Sequence, residues 1–505
     1  MPQLSTRVVA IALAVVSVSI AWAQNNYPVI GQPQGGDRRG TYFDAKGRPD
    51  DKTIPLFKDP KIYLGNMTLL AYLPEVKRGP QMMTIGGKRY LVGGGAVTDV
   101  TDPKNPVVIN DKAPGGQLAY NQSLKKWILM RPTDANQATQ AQLQSMGKIP
   151  NPELNPKGFL GATFFDMTDP RNPVEISRFE TKARGVHTDG VFYDGGRYAY
   201  LASGLGTRGQ HPFHLYNYIL QIIDVSDIKN PKEVSKWWVP GQMKEEQKEF
   251  ESWPEAGPHW NEEIWNKDLI YHFSEFHGPC FVPKRVEDGG NRGYCSWGQH
   301  GFITLDLSDI QHPKQIGRLD ISPPFEGGIP VHTAYPMPER KLVFINSEPT
   351  YQDCYEGVVP PFVVDVRSEK NPVTIATFPL PKPPAEAPYN DFCFRGHRFG
   401  THNSQDIKAP GEARVDLMAY TWFAGGFRLY DVSNPFQPRE VAFMIPKQGE
   451  ARGTETVLIE WDRKLVHVFA DSGLYILSTP VLGEPILGPL KPQRWTLQGL
   501  NVGAP

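Results

Sequence analysis

The sequence predicts an all-β chain, a β-propeller with seven blades. Three observations predict it. One turn motif recurs six times, one hydrophobic strand recurs seven times, and the composition favours short strands joined by turns. Gly and Pro each number 48, beside 25 Phe, 20 Tyr and 11 Trp. Aromatic residues suit strands, and Gly and Pro suit the turns between them.

The turn motif is first seen from Asp99 to Pro106, reading Asp-Val-Thr-Asp-Pro-Lys-Asn-Pro. It returns at Asp166–Pro173, Asp224–Pro231, Asp306–Pro313, Asp365–Pro372 and Asp431–Pro438. Asp, Ser and Asn side chains bond nearby backbone amides, and Pro sets φ, so the motif reads as strand–turn–strand. A hydrophobic run precedes each Asp, such as Tyr218–Ile223, and another follows each Pro, such as Val174–Phe179. These hairpins are the outer halves of four-stranded blades, which bury their faces only by stacking on neighbours.

The second recurring strand is read at Lys88–Val92, Lys126–Met130, Arg197–Ser203, Leu269–Glu275, Lys341–Glu348, Leu417–Trp422 and Lys464–Asp471. The run Gly473–Ser478 matches the strand that would precede a seventh turn. Seven blades follow, or eight if the N-terminal region adds strands. Residues 66–480 form the propeller, after an N-terminal extension at 24–65 and before a C-terminal tail at 481–505.

The chain opens with Arg7, an apolar run from Val8 to Trp22 and a small-x-small site at Ala21–Ala23. That is the layout of a signal peptide over residues 1–23. A periplasmic or secreted protein is expected, with no transmembrane anchor after cleavage. The net charge is −1, without a block of Lys and Arg, so no nucleic-acid partner is expected. In an oxidising compartment, four cysteines imply disulfides. Cys280–Cys295 and Cys354–Cys393 are the favoured pairs because each brackets an insertion. No Cys-x-x-Cys is present to argue for thiolate metal ligation.

Aligning blades on the second strand brings histidines to one level. Glu275 and Glu348 lie sixteen residues after His259 and His332, and Asp471 lies sixteen after Glu455. His187 and His402 fall at the equivalent place in two further blades, and Gln117 is the nearest polar residue in the first two. Inner strands converge on the axis, so imidazoles at one level become neighbours. Metal ligands His187, His259, His332 and His402 are therefore expected, holding iron, copper, zinc or manganese. Glu275, Glu348 and Asp471 would take the free ring N–H groups. Glu455, His277 and His397 are further polar candidates. His312 in its turn, and His272 and His467 in mid-strand, read as structural, and His211 and His214 as exposed loop residues.

Three insertions interrupt the rhythm. Helical runs are read at Met243–Trp253 and Ala138–Met146, and an irregular Pro-rich loop at Pro379–Phe394.

The six turns resemble the LVIVD-repeat family of extracytoplasmic propellers, over roughly Leu69 to Leu477. The resemblance implies a fold and leaves the chemistry open. Histidine-ringed propellers such as the carotenoid-cleavage oxygenases and the selenium-binding protein/methanethiol oxidase family offer an architectural analogy. His332-Thr-Ala-Tyr-Pro with Asn346-Ser-Glu348 is similar to a segment of the second. Two functions are carried forward: a metal-dependent oxidoreductase or oxygenase acting on a small organic molecule, and a non-catalytic binding or scaffold propeller with a protein partner. Serine-hydrolase and P-loop motifs are absent.

Overall fold

In the computed structural model the polypeptide is described over residues 59–134, 159–243, 275–349 and 357–488, except 78, 80, 182–184, 205–217, 322–328, 407–408 and 450–452. Positions 246, 248–249, 252, 354, 495–497 and 500–501 are also described. The expected signal peptide, the helical run at Ala138–Met146 and most of the run at Met243–Trp253 lie outside these residues.

Seven four-stranded antiparallel sheets are arranged as the blades of a propeller. Blades 1 to 5 are built from consecutive strands, running from Gln81–Ile85 in blade 1 to Val373–Thr377 in blade 5. Blade 6 is built on Leu417–Thr421, Phe427–Asp431 and Arg439–Ile445, with Tyr63–Gly65 on its outer edge. Its innermost segment runs through His402–Ser404, where His402 donates its amide to the Thr421 carbonyl at 3.0 Å. Blade 7 takes Thr454–Glu460, Leu465–Ala470 and Gly473–Ser478 from the C-terminal end, and its outer strand, Thr68–Leu73, from the N-terminal end. That exchange explains why only six turn motifs exist. The fourth strand of blade 7 comes from the other end of the chain and needs no turn to reach it.

The motif works as a pair of nested side-chain caps. Asp166 accepts the amide of Thr168 at 2.8 Å, and Asp169 accepts that of Arg171 at 2.9 Å. The other five repeat the first cap, from Asp99 to Thr101 through Asp431 to Ser433. Each cap satisfies backbone amides that the hairpin turn leaves without a strand partner.

Aromatic residues fill the interfaces between blades. Phe192, Phe281 and Tyr335, one from each inner strand of blades 3, 4 and 5, stack edge-to-face at 5.7 and 5.9 Å. Phe378 meets Tyr420 at 5.2 Å and Tyr430 at 5.0 Å across blades 5 and 6. The seam between blades 7 and 1 is polar. Glu460, 0 % exposed, receives Arg89, Arg463 and His467, and Arg463 also donates to the Val100 and Thr101 carbonyls.

The fourth blade corrects the strand alignment. Its second strand is Arg292–Ser296, paired between Cys280–Phe281 and Phe302–Asp306. Leu269–Ser274 and His259 lie outside the described residues.

Both favoured disulfides are formed. Cys280 and Cys295 face each other across paired strands, and Cys354 joins Cys393 with Cα atoms 5.5 Å apart. The Pro-rich segment after Thr377 is irregular, apart from one 3-10 turn at Phe392–Arg395. No described helix is long and apolar enough to cross a membrane.

Candidate metal centre

The inner strands carry irregularities where the functional side chains sit. In blade 3 the register shifts between Val186 and Val191, in blade 5 between Ile329 and Thr333, and in blade 7 between Thr454 and Thr456. His187, His332 and Glu455 fall inside these shifts. A bulge breaks the alternation of a strand and re-aims one side chain, here at the neighbouring blade. Small residues permit the approach. A Cβ on Gly190 would stand 2.5 Å from the His277 carbonyl oxygen, and one on Gly278 only 1.7 Å from that of His332.

Four imidazoles consequently form an arc across blades 3 to 6. Ring centres are 4.3 Å apart from His187 to His277, 5.2 Å from His277 to His332, and 5.0 Å from His332 to His402. His277 supplies the imidazole from blade 4, while His259 lies outside the described residues.

Glu348 is the hub of this arc. Its carboxylate lies 3.4 Å from His277 Nε2, 3.6 Å from His332 Nε2 and 3.8 Å from His402 Nε2. Two triads have mutually close ligand atoms, His277–His332–Glu348 and Asp189–His332–His402. Glu348 thus stands among the ring nitrogens, nearer than the outer orienting role expected for it.

The opposite edges of the rings are held. Glu275 lies 3.2 Å from His277 Nδ1, Thr333 Oγ1 lies 2.8 Å from His332 Nδ1, and Asn403 Nδ2 lies 3.1 Å from His402 Nδ1. Glu455 Oε2 is 3.7 Å from the same His402 nitrogen. Arg398 donates to Glu348 at 2.6 Å. His332 Nε2 is buried and has no hydrogen-bond partner. Such an atom in the interior is costly unless something satisfies it.

Charge is distributed unevenly. Burial opposes a proton on His277, but Glu275 and Glu348 overcome it and push its pKa up to about 9. Burial, reinforced by the neighbouring His402 and His277, drops His332 to about 3 against the pull of Glu348. Burial also resists ionisation of Glu348, yet His402, His277 and Arg398 hold it well below the usual carboxylate range. His332 is therefore a neutral donor at physiological pH, the form that ligates metals.

His187 belongs to neither triad. Its Nδ1 is 3.2 Å from Asp134 Oδ2, which also accepts the Tyr218 hydroxyl at 3.0 Å, and its Nε2 is buried without a partner. His397 also stands outside the triads, at a positive φ of 67°. His312 is exposed in its turn, 2.8 Å from Asp309, and His467 is buried against Glu460. His211, His214 and His272 lie outside the described residues.

A cavity of about 810 Å³ opens beside the arc, and its wall includes His187, Asp189 and His402 together with Asp134, Asp406 and Glu455. Burial, with the charge of Asp189 nearby, pushes Asp406 up to about 7. Asp134, Asp189, Asp406 and the Arg398–Glu348 pair were missed from the sequence. Two signals were present. Asp189 follows His187 by two residues, and Asp134 comes directly after the second strand of blade 2, near where Glu348 ends that of blade 5.

No family model and no curated protein matches the chain. Among solved structures it is similar to a hypothetical selenium-binding protein from Sulfolobus tokodaii, with 13% identity and a TM-score of 0.43 over 85% of this chain and 86% of that one.

Proposed function

We propose that the chain is an exported LVIVD-type propeller that holds a transition-metal ion and uses it in an oxidoreductase reaction on a small organic molecule. The ligands would be His277, His332, His402 and Glu348. One observation carries this reading: three imidazole Nε2 atoms face one carboxylate, and that of His332 is buried without a partner. Nitrogen and carboxylate donors suit iron, copper, zinc or manganese. When bound, such an ion supplies a Lewis acid or a redox centre. Glu275, Thr333 and Asn403 fix the three rings, Arg398 fixes Glu348, and the adjoining cavity admits the substrate. The six capped turns support the family reading, and the two disulfides support export.

Arg398 favours a second reading. It already neutralises Glu348 at 2.6 Å, as in a binding propeller whose polar network needs no ion. Elemental analysis of tag-free protein from metal-supplemented medium separates the two. Stoichiometric metal in the wild type and its loss in His332→Ala support the metal site. Wild-type protein without metal leaves the binding propeller.

A further inference from the structure

We infer that the ion has two stations in the arc, and that Asp189 is a ligand at the second, cavity-side station. This rests on the reading of the arc as a metal centre. The two triads of mutually close donors, His277–His332–Glu348 and Asp189–His332–His402, share one residue. His332 Nδ1 is taken by Thr333 Oγ1 at 2.8 Å, which leaves Nε2 to ligate. That nitrogen is buried with no hydrogen-bond partner, in a residue that is 0% exposed. An imidazole nitrogen offers one lone pair, and one lone pair holds one ion. The triads are therefore alternative places for the same ion.

The carboxylates divide in the same way. Glu348 turns Oε2 toward His277 Nε2 at 3.4 Å and His332 Nε2 at 3.6 Å. Donors held about 2.1 Å from an ion in a tetrahedron stand roughly 3.4 Å apart, so these three already have ligand spacing. The other oxygen, Oε1, receives Arg398 at 2.6 Å and lies 3.8 Å from His402 Nε2. Asp189 Oδ2 approaches that same nitrogen at 3.7 Å. Arg398 holds Oε1 of Glu348, so Asp189 is the carboxylate placed to ligate beside His402.

The stations differ in access. His277, His332 and Glu348 are all buried, whereas the Asp189 side chain is 38% exposed and borders the cavity with His402. A closed site shields its ion, and a site with an open position lets a small molecule reach it. The inner station holds the ion at rest. A small ligand arriving from the cavity binds the outer station better, and so shifts the ion from Glu348 to Asp189.

The test loads metal-stripped full-length protein with cobalt(II). Elemental analysis reads stoichiometry, visible absorbance reads coordination, and sodium azide is the small ligand. The wild type should hold one equivalent, with a spectrum that azide shifts. Asp189→Ala should keep that equivalent at the inner station and bind azide at least about tenfold more weakly. His277→Ala should still take up one equivalent, more weakly, with a changed spectrum and an intact azide response. His277→Ala combined with Asp189→Ala should lose cobalt. Two equivalents in the wild type, a wild-type spectrum indifferent to azide, or wild-type azide affinity in Asp189→Ala would each overturn the inference. So would cobalt lost from folded His277→Ala or kept by the double variant. If His277→Ala does not fold, the azide response of Asp189→Ala decides. Cobalt bound without an effect of Asp189 removes the stations alone, and a wild type that binds no cobalt removes the metal reading and the stations with it.

Discussion

The Oε2 atom of Glu348 lies 3.6 Å from the Nε2 of His332, a buried nitrogen with no hydrogen-bond partner. The two residues belong to adjacent strands of blade 5. His332 sits in the bulge of Ile329–Met337, and Glu348 ends Leu342–Glu348. A hairpin with this bulge necessarily returns its last residue to the level of the bulged one, so a sixteen-residue spacing becomes a contact.

Removing either partner should affect metal content before it affects the fold. Glu348→Gln keeps the shape but removes the charge, and should weaken metal affinity at least about 10-fold. His332→Ala should abolish stoichiometric metal. His397→Ala, outside both triads, should retain it. Elemental analysis with thermal melts on the three variants checks this, and metal retained in His332→Ala would sink the ligand assignment.

Gly278 should tolerate no side chain. A Cβ there would press on the His332 carbonyl oxygen and on Ser296 Oγ. Gly278→Ala is therefore expected to cost about 1–3 kcal/mol in urea unfolding and to lower metal affinity, by displacing the His332 backbone. Unchanged stability would show that the blades part easily.

Acid should open the seam between blades 7 and 1. Burial resists the Glu460 charge, but His467, Arg463 and Arg89 hold its pKa far below the usual carboxylate range. A carboxyl depressed on folding stabilises fully above its unfolded pKa of about 4.3, and that stability is lost as pH falls below it. Glu460→Gln should cost about 3–5 kcal/mol at pH 7, by leaving Arg463 short of a counter-charge while Arg89 keeps only Asp462. Its further loss between pH 5 and pH 3, read from urea melts, should be smaller than in the wild type. An equal acid slope in both proteins would remove Glu460 from the account.

The disulfides should contribute through the unfolded chain. Cys354 and Cys393 are 39 residues apart, and closing such a loop is worth about 3–4 kcal/mol. Replacing both by Ser should lower the urea midpoint by a corresponding amount. A thiol assay on denatured, unreduced protein should find no free thiol among the four cysteines.

Much of the ring was readable in the residues. Six of the seven second strands lie where the repeat placed them, from Lys88–Gly93 to Leu465–Ala470. In blade 4 the second described strand is Arg292–Ser296, and all but the last residue of the run Leu269–Glu275 lies outside the described residues. Pattern alone cannot tell which of two apolar runs pairs with a given hairpin when a long insertion separates them. His277, read from the sequence as a further polar candidate, is the blade 4 imidazole among the described residues.

The amino-acid sequence alone determined the blade unit and favoured the disulfide pairs that the structure forms. Turn caps and strand periodicity are local properties, written within short stretches of chain. Only the tertiary structure decided which groups surround Glu348. His277, His402, Arg398 and Asp189 reach it or its neighbours from three other blade regions, and register shifts set their direction. A bulge displaces a side chain by one place in a period of two, and no periodicity marks it beforehand. Ring closure then turns positions remote in sequence into neighbours, because every inner strand meets the same axis.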